Sequence, residues 1–329
     1  MTMIGQRVRS NLYHSGGLKE LLRRLIGFRL GQFLMYSPRP IALPVSYNRP
    51  VACRSELKIS LITPVLNQAA FISQTIESVL SQQFPSLEYI VMDGGSNDGT
   101  TAVIERYHNQ LTHYESVKDN GQSDAINRGF EHASGDILGW LNGDDILLPG
   151  ALNYIAHFFE MNPDIDVVYG NRIVIDVDGN DIGRWVLPSH SDRILSWIDY
   201  VPQETLFWRR SLWNRVGGHV DASYQFAMDW DLLVRFRDCG ARFSHLPRYI
   251  GAFRVHSAQK THSQMISIGM QEMDRIRTRC LGYVPSKMEM RIAVMPYVLR
   301  HIFCSLRERL LQALDCAHSY LKGCNTLTK

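Results

Sequence analysis

The chain has 329 residues, 45% hydrophobic and 20% charged, which is the composition of a globular protein with a large core in one big domain or two ordinary ones. A net charge of +3 argues against a nucleic-acid partner, and six cysteines without a CxxC pair or metal-site spacing favour a reduced, cytosolic setting over a disulfide framework. The N-terminus shows no secretory signal, and no stretch reaches the roughly 18 uninterrupted apolar residues of a spanning helix.

Residues 1–57 read as an appendage. Residues 18–36 (LKELLRRLIGFRLGQFLMY) have apolar positions at helical spacing interrupted by Arg23, Arg24 and Arg29. That pattern predicts a basic amphipathic helix, which either lies on an anionic membrane surface or packs on the main domain with a solvated basic face. Pro38, Pro40, Pro44 and Pro50 then predict an extended linker.

Regular structure is expected from residue 58. Residues 58–63 (KISLIT) read as a strand ended by Pro64, with Asn67 at the N-cap of a helix over residues 68–82. Residues 87–92 (LEYIVM) form a second strand that runs into the tight turn DGGSNDGT, where Asp98 is placed to cap a helix over residues 100–107. A weaker strand follows over residues 111–117, then a turn at Asp119, Asn120 and Gly121 and a helix over residues 123–133. The stretch DILGWLNGDDILLPG (residues 136–150) is a buried strand stopped by an acidic loop and followed by a helix over residues 151–159.

Strands and helices thus alternate with short connections, which predicts an α/β fold with a mostly parallel sheet flanked by helices. Polar or acidic loops recur at the carboxyl ends of these strands, where open α/β sheets bind ligands. No GxGxxG follows the first strand and no GxxxxGK[ST] loop is present, so phosphates must be neutralised in another way. Asp144 and Asp145, adjacent carboxylates after a buried strand, are costly without a positive partner and suit a hard divalent cation. Read alone, they are equally a helix-capping acidic turn.

The second half is less regular. Strands are expected within residues 166–177 and 182–186, a short helix over residues 189–197 and a strand over residues 205–208. Helices are expected over residues 210–216 and 227–239, and two further strands over residues 242–246 and 249–254. From residue 262 the chain reads as helical and basic. Residues 294–303 are apolar but broken by Pro296 and Arg300, and either touch a membrane or cover the core.

Five segments in order resemble glycosyltransferase family 2, which has the GT-A fold. They are SLITPVLNQAAFISQTIESVLSQ, EYIVMDGGSNDGT, SDAINRGFEHASGDILGWLNGDD, MDWDLLVR and FRVHSAQKT, and they run from about residue 60 to residue 261. The resemblance implies a nucleotide-diphospho-sugar transferase domain over residues 58–261, between the N-terminal extension and a helical C-terminal extension over residues 262–329. The implied reaction is inverting transfer of a sugar from a nucleotide-diphosphate donor to a hydroxyl of a glycan or lipid-linked acceptor, as in cell-surface polysaccharide synthesis. It implies a divalent metal, Mg or Mn, and a cytoplasmic enzyme in peripheral contact with the inner face of the cytoplasmic membrane.

Residue by residue, the resemblance places Thr63, Pro64 and Asn67 at the base and ribose pocket and Asp93 on the nucleobase. Asp124 and Arg128 fall near the ribose and donor sugar. Asn142-Gly143-Asp144 matches the DxD motif, with Asp144 the metal ligand, Asp145 helping and His256 completing the metal shell or touching the diphosphate. Asn142 departs from the acid often found there. Asp229 matches the general base, although Met228 precedes it where the family has an acid. Its place at a helix start favours the ionised form and predicts a weak base. Asp231 is expected as an N-terminal helix carboxylate. Gln203 and Glu204 are candidates for the acceptor side, Trp230 for stacking on a sugar, and Arg254 and Lys260 for the leaving diphosphate. Two other classes are weighed against this one. A non-catalytic sugar-nucleotide or glycan-binding module on the same fold draws on Asn142 and Met228, while a nucleotidyltransferase would need a glycine-rich basic loop that TPVLNQ is not.

Overall fold

The computed structural model describes residues 35–44, 47, 55–257, 259 and 268–326. The expected basic helix lies outside the described residues as far as residue 34, as does Lys260. Met35 and Tyr36, expected to end that helix, instead open strand β1 (Met35–Arg39), which pairs antiparallel with residues 181–183. Local spacing continued the helical pattern into residues 35 and 36, but the open edge of a sheet captures them.

The first half follows the sequence. β2 (Ile59–Val65), α1 (Ile72–Leu80), β3 (Leu87–Asp93), α2 (Thr100–Glu105), β4 (His113–Ser116), α3 (Gln122–Glu131) and β5 (Ile137–Trp140) alternate. All pairings among β4, β3, β2 and β5 are parallel. β2 is buried along its whole length because both faces are covered. Leu61 and Val65 join the main apolar cluster with Ile72, Ile76 and Val79 of α1. On the opposite face α3 packs so closely that a Cβ on Gly129 would lie 2.6 Å from Ile62. Asn67 is not the N-cap of α1: it takes a left-handed φ of 52°, and the helix begins at Ile72. Its amide accepts the Asn97 N–H at 3.0 Å, and its own N–H donates to Ser96 Oγ at 2.7 Å, so it joins two loops. Asp98 likewise serves two loops, accepting from the N–H groups of Thr100 and Ala69, each at 3.0 Å.

The second half brings antiparallel pairs into the sheet. After β6 (Ile146–Leu147) and α4 (Ala151–Met161) come β7 (Val167–Ile175), β8 (Asp181–Trp185), α5 (Asp192–Leu195) and a 3-10 turn, Gln203–Thr205. β9 (Phe207–Arg209) inserts antiparallel to both β5 and β7. α6 (Arg210–Arg215), α7 (Met228–Asp238) and β10 (Phe243–Arg254) follow. The strand order is β1-β8-β7-β9-β5-β2-β3-β4, with β10 paired to β6 and β7. The two strands expected over residues 242–254 are one, β10, parallel to β7 with register shifts around Tyr249. Pro247 lies where the first shift falls, since a proline cannot donate to the ladder.

Two helices end the chain, α8 (Met270–Leu281) and α9 (Lys287–Thr326). α9 stays helical through Pro296, in line with the helical reading of this part of the chain. Among the described residues no helix is long and apolar enough to cross a membrane. α8 braces α7. The buried Asp231 is a partner of Arg235 at 2.8 Å and of Arg279 on α8 at 2.6 Å, not a simple helix-end charge. Arg277 lies over the Trp230 ring at 5.3 Å and donates to the Trp197 carbonyl at 3.0 Å.

The N-terminus of α7 has no side-chain cap of its own. Glu272 on α8 serves instead, accepting the N–H groups of Gln225, Phe226 and Ala227 at 2.7, 2.8 and 2.9 Å. Because the buried Ala227 N–H would be left without an acceptor and the two part-buried bonds would be lost, Glu272→Ala is expected to lower stability by about 1–3 kcal/mol. Urea unfolding should show this as a lower midpoint at an unchanged slope.

Candidate active site

The acidic loop after β5 is built against β2 and α1. Leu141 and Gly143 donate their N–H groups to the carbonyls of Ile62 and Pro64 at 2.8 and 3.3 Å, which carries the β2 ladder past the end of β5. Thr75 Oγ1 on α1 lies 2.9 Å from the Gly143 carbonyl and 2.8 Å from that of Asp145. Asn142 bridges two neighbours, accepting from Gln122 Nε2 at 2.7 Å and donating to Gln203 Oε1 at 3.1 Å. Gln203 in turn donates to the Trp140 carbonyl at 2.8 Å. Gln203 is therefore part of the floor that fixes Asn142.

Asp144 is partly open, and His256 Nε2 lies 2.9 Å from its Oδ2. The imidazole stacks obliquely on Phe71 at 4.7 Å. Asp145 is almost fully buried and accepts the Arg254 N–H at 3.0 Å. Burial, then the adjacent Asp144 carboxylate, pushes the Asp145 carboxyl well above the usual range. A buried and a partly open carboxylate side by side, with an imidazole alongside, are a donor set that a hard cation satisfies. Among the described residues, three metal-type donors crowd within 4.8 Å elsewhere, at His113, Glu115 and His132 on the sheet edge. The acidic loop offers the looser arrangement, which suits an ion held by one or two carboxylates plus the oxygens of a bound phosphate.

Arg254 does not face a diphosphate. Its guanidinium is buried over the Phe71 ring at 4.9 Å and donates to the carbonyls of Asp144, Asp176 and Val177 and to Gln74 Oε1, at 2.7 to 3.2 Å. It braces the acidic loop. Glu204 does not face an acceptor either. It is buried in a two-pronged ion pair with Arg172 of β7, whose Nε lies 2.7 Å from Glu204 Oε1. Removing one partner of such a pair typically costs about 3–5 kcal/mol, because the other charge stays buried. Trp230 cannot stack on a sugar: it is fully buried and its Nε1–H donates to the Leu195 carbonyl at 2.8 Å.

Asp229 starts α7 beside the acidic loop. The link runs through α3, where Gln122 holds Asn142 and Ser123 Oγ lies 3.0 Å from Met228 Sδ. The helix start was expected to keep Asp229 a weak, fully ionised base. Burial outweighs that effect and, with Glu204 adding to it, raises the carboxyl to about 6. Asp199 lies close by; desolvation of its carboxyl, then the Asp229 charge, raises it well above its ordinary value, although the residue keeps a solvent-exposed face. The two carboxyls titrate as a pair.

At the same carboxyl edge of the sheet, across β2 from the acidic loop, Asp93 is almost fully buried and its carboxylate builds the loop after β3. It accepts the N–H groups of Gly95 and Ser96 at 3.2 and 3.0 Å and the hydroxyls of Ser96 and Ser116. Asp119 comes against this loop so closely that a Cβ on Gly94 would meet its Oδ2 at 2.5 Å. Thr63 is buried with its hydroxyl 3.1 Å from the Tyr89 hydroxyl, so its side chain faces the core and not a base pocket. The Pro64 carbonyl holds Gly143. Asp124 accepts from Asn120 N–H at 2.9 Å, and Arg128 is paired with Glu115.

Sequence reasoning did not single out Asp199, Arg172 or Glu272, whereas Asp119 is one of the polar strand ends that the sequence marks. Asp199 and Arg172 carry a usable signal, an ionisable residue inside an apolar run (SWIDYV and YGNRIVI). Such a residue must be paired or functional. Glu272 carries none, since its partners are far away in the chain.

A family model described as glycosyl transferase family 2 matches residues 60–225. A PGL/p-HBAD biosynthesis glycosyltransferase of Mycobacterium tuberculosis is 30% identical over 180 residues, covering 54% of this chain and 68% of that protein. The O-antigen biosynthesis protein RfbC of Myxococcus xanthus is 28% identical over 205 residues, covering 61% of this chain and 16% of that one. Among solved structures, S. aureus TarS in complex with UDP-GlcNAc superposes with a TM-score of 0.56 at 19% identity, covering 74% of this chain and 72% of that chain. At that identity the likeness concerns the fold. The parallel β2–β5 half, the acidic loop and the matched residues agree, and the chain belongs to glycosyl transferase family 2, with its GT-A fold.

Proposed function

We propose that this chain is an inverting, metal-dependent glycosyltransferase, with residues 58–261 as its catalytic domain. It would move a sugar from a nucleotide-diphosphate donor to a hydroxyl of a glycan or lipid-linked acceptor in surface polysaccharide synthesis, at the cytoplasmic face of a membrane. The observation that carries the reading is the pairing of Asp144, in the loop after β5, with His256, just past β10, together with a carboxyl of raised affinity for protons, Asp229, at the start of α7. The TarS structures contain UDP-GlcNAc and UDP, which supports a uridine-type donor. The names of the relatives, O-antigen and PGL/p-HBAD biosynthesis, support a glycan or lipid-linked acceptor.

In this reading Asp144, with His256 and the Asp145 carboxyl behind it, would hold a divalent ion, Mg or Mn, which supplies positive charge against the donor diphosphate. Asn142, fixed by Gln122 and Gln203, presents an amide in place of a second carboxylate. Asp229 takes the proton of the acceptor hydroxyl as its oxygen bonds to the anomeric carbon. The bond from that carbon to the diphosphate breaks on the opposite face, and the configuration inverts. A base with a pKa near 6 is ionised at neutral pH yet holds a proton better than an ordinary aspartate, the compromise that general-base catalysis favours.

Purified protein with a panel of UDP-, GDP- and dTDP-sugars and Mg or Mn should release nucleotide from one donor. Asp144→Ala should lose this release by about 100-fold or more with an unchanged melting temperature. Release that persists in the variant would overturn the metal assignment. Metal-dependent nucleotide binding without release by any donor or acceptor would make the chain a binding module. No binding at all would remove Asp144 from the site.

The pH profile tests Asp229 separately. The ionised form is the active one, so the rate should climb with pH through about 6 and level off above. Asp229→Asn should lower kcat by about 10²–10⁴-fold and erase that limb. A variant that keeps the limb shows that another group is the base.

A further inference from the structure

The outer face of α9 has no partner among the described residues. Met288, Ile292, Met295, Leu299, Phe303 and Leu306 are each about half exposed or more, and Leu310 continues the row. Their spacing averages about 3.6 residues, so the row stays on one side of a straight helix. On the opposite side Ala293, Val294, Tyr297 and Val298 are buried, and His301 Nδ1 lies 2.7 Å from the Val186 carbonyl of β8. The helix is therefore fixed on the domain through one face while an apolar strip longer than soluble monomers normally leave open faces outward.

The charges beside the strip say what covers it. At about 100° per residue, Arg291 lies along one edge and Arg300 and Arg307 along the other, all three exposed. The acidic Glu289 sits at the helix start with its carboxylate bonded to the Ser286 N–H, and Glu308 lies on the inner side, near Tyr249 and Arg39. An apolar strip between rows of arginine is complementary to an anionic lipid surface. A second copy of α9 fits less well. A coiled-coil repeat of about 3.5 residues carried on from Met288 would put Arg309 on the seam, and the arginine edges of two copies would repel. Residues 1–34 fit less well for the same reason, being basic themselves, with five arginines, one lysine and one glutamate.

We infer that α9 is an interfacial helix that docks this protein on an anionic bilayer through the strip from Met288 to Leu310, with Arg291, Arg300 and Arg307 on lipid headgroups. Pro296 agrees with this placement, because the carbonyl it deprives of an intrahelical partner is that of Ile292, on the outward side. The inference stands on α9 alone and is read out by lipid binding, so its failure and that of the transferase reading are separate.

The full-length protein is mixed with vesicles of phosphatidylcholine alone or with added phosphatidylglycerol, and bound protein is measured by flotation. Binding is expected only with phosphatidylglycerol and should weaken as salt is raised. Leu299→Glu and Phe303→Glu should each lower the partition constant by about tenfold or more, with melting temperature and nucleotide release unchanged. The pair Arg300→Glu and Arg307→Glu should abolish the preference for phosphatidylglycerol. Equal binding to neutral vesicles, or no binding to either, overturns the proposal. So does lipid binding that survives the α9 changes but is lost with Arg23→Glu and Arg24→Glu. Sedimentation decides the remaining case: α9 variants that split a dimer while lipid binding is unchanged assign the strip to a second copy instead.

Discussion

One buried guanidinium sets the electrostatics of the site. Arg172, inside β7, is paired with Glu204 and feels Asp145, Asp199 and Asp229. With Asp145 and Glu204 buried and Asp229 half-buried around it, Arg172 does not keep every neighbouring carboxyl ionised. Some must hold a proton, and others must find a cation. The pressure is relieved differently at each acid. Glu204 takes the arginine, Asp145 and Asp199 are driven toward the protonated form, and Asp229 is left poised between the two states. An incoming positive ion or a proton from a substrate would both relax the same crowding. The acid loop and the start of α7 are thus coupled through a shared excess of negative charge, beyond being neighbours in space.

The geometry around this cluster is held from outside it. Thr75, the Ile62 and Pro64 carbonyls and Arg254 fix the acidic loop, and Glu272 fixes the turn that leads into Asp229. None of these groups does chemistry. Each satisfies backbone groups that would otherwise be stranded, and in doing so removes the freedom of the loops that carry Asp144 and Asp229. α8 therefore supports the segment that carries Asp229, although it lies outside the matched family segment, which ends at residue 225.

Much of the fold was legible because in the first half each local signal agrees with the tertiary outcome. LEYIVM followed by DGGSNDGT is a strand and a turn in any context, and β3 and its loop form there. The strands of the second half were also visible, but their partners were not. β9 joins β5 and β7 antiparallel, and nothing in FWR states that choice. At the site, the loops that come together were readable from residue types. The directions of side chains were not. Glu204, Arg254 and Trp230 lie at positions where a functional role was reasonable, and all three turn inward, because each has a buried partner far away in sequence: Arg172, the Asp144 carbonyl and the Leu195 carbonyl. The ionisation of Asp229 was misjudged for a related reason. A helix terminus is a local feature visible in sequence, whereas burial is a property of the whole fold and here is the larger effect.

Arg254 shows how narrow the chemical tolerance of such a brace is. Its planar head reaches four oxygens that lie in different directions and belong to three segments of the chain, while its plane rests on Phe71. A lysine would preserve the charge and could satisfy only part of that fan, with no flat surface to offer the ring. At this position shape and charge are a single requirement. A change usually regarded as conservative would therefore loosen the acidic loop at its root, several bonds away from any atom that meets a substrate.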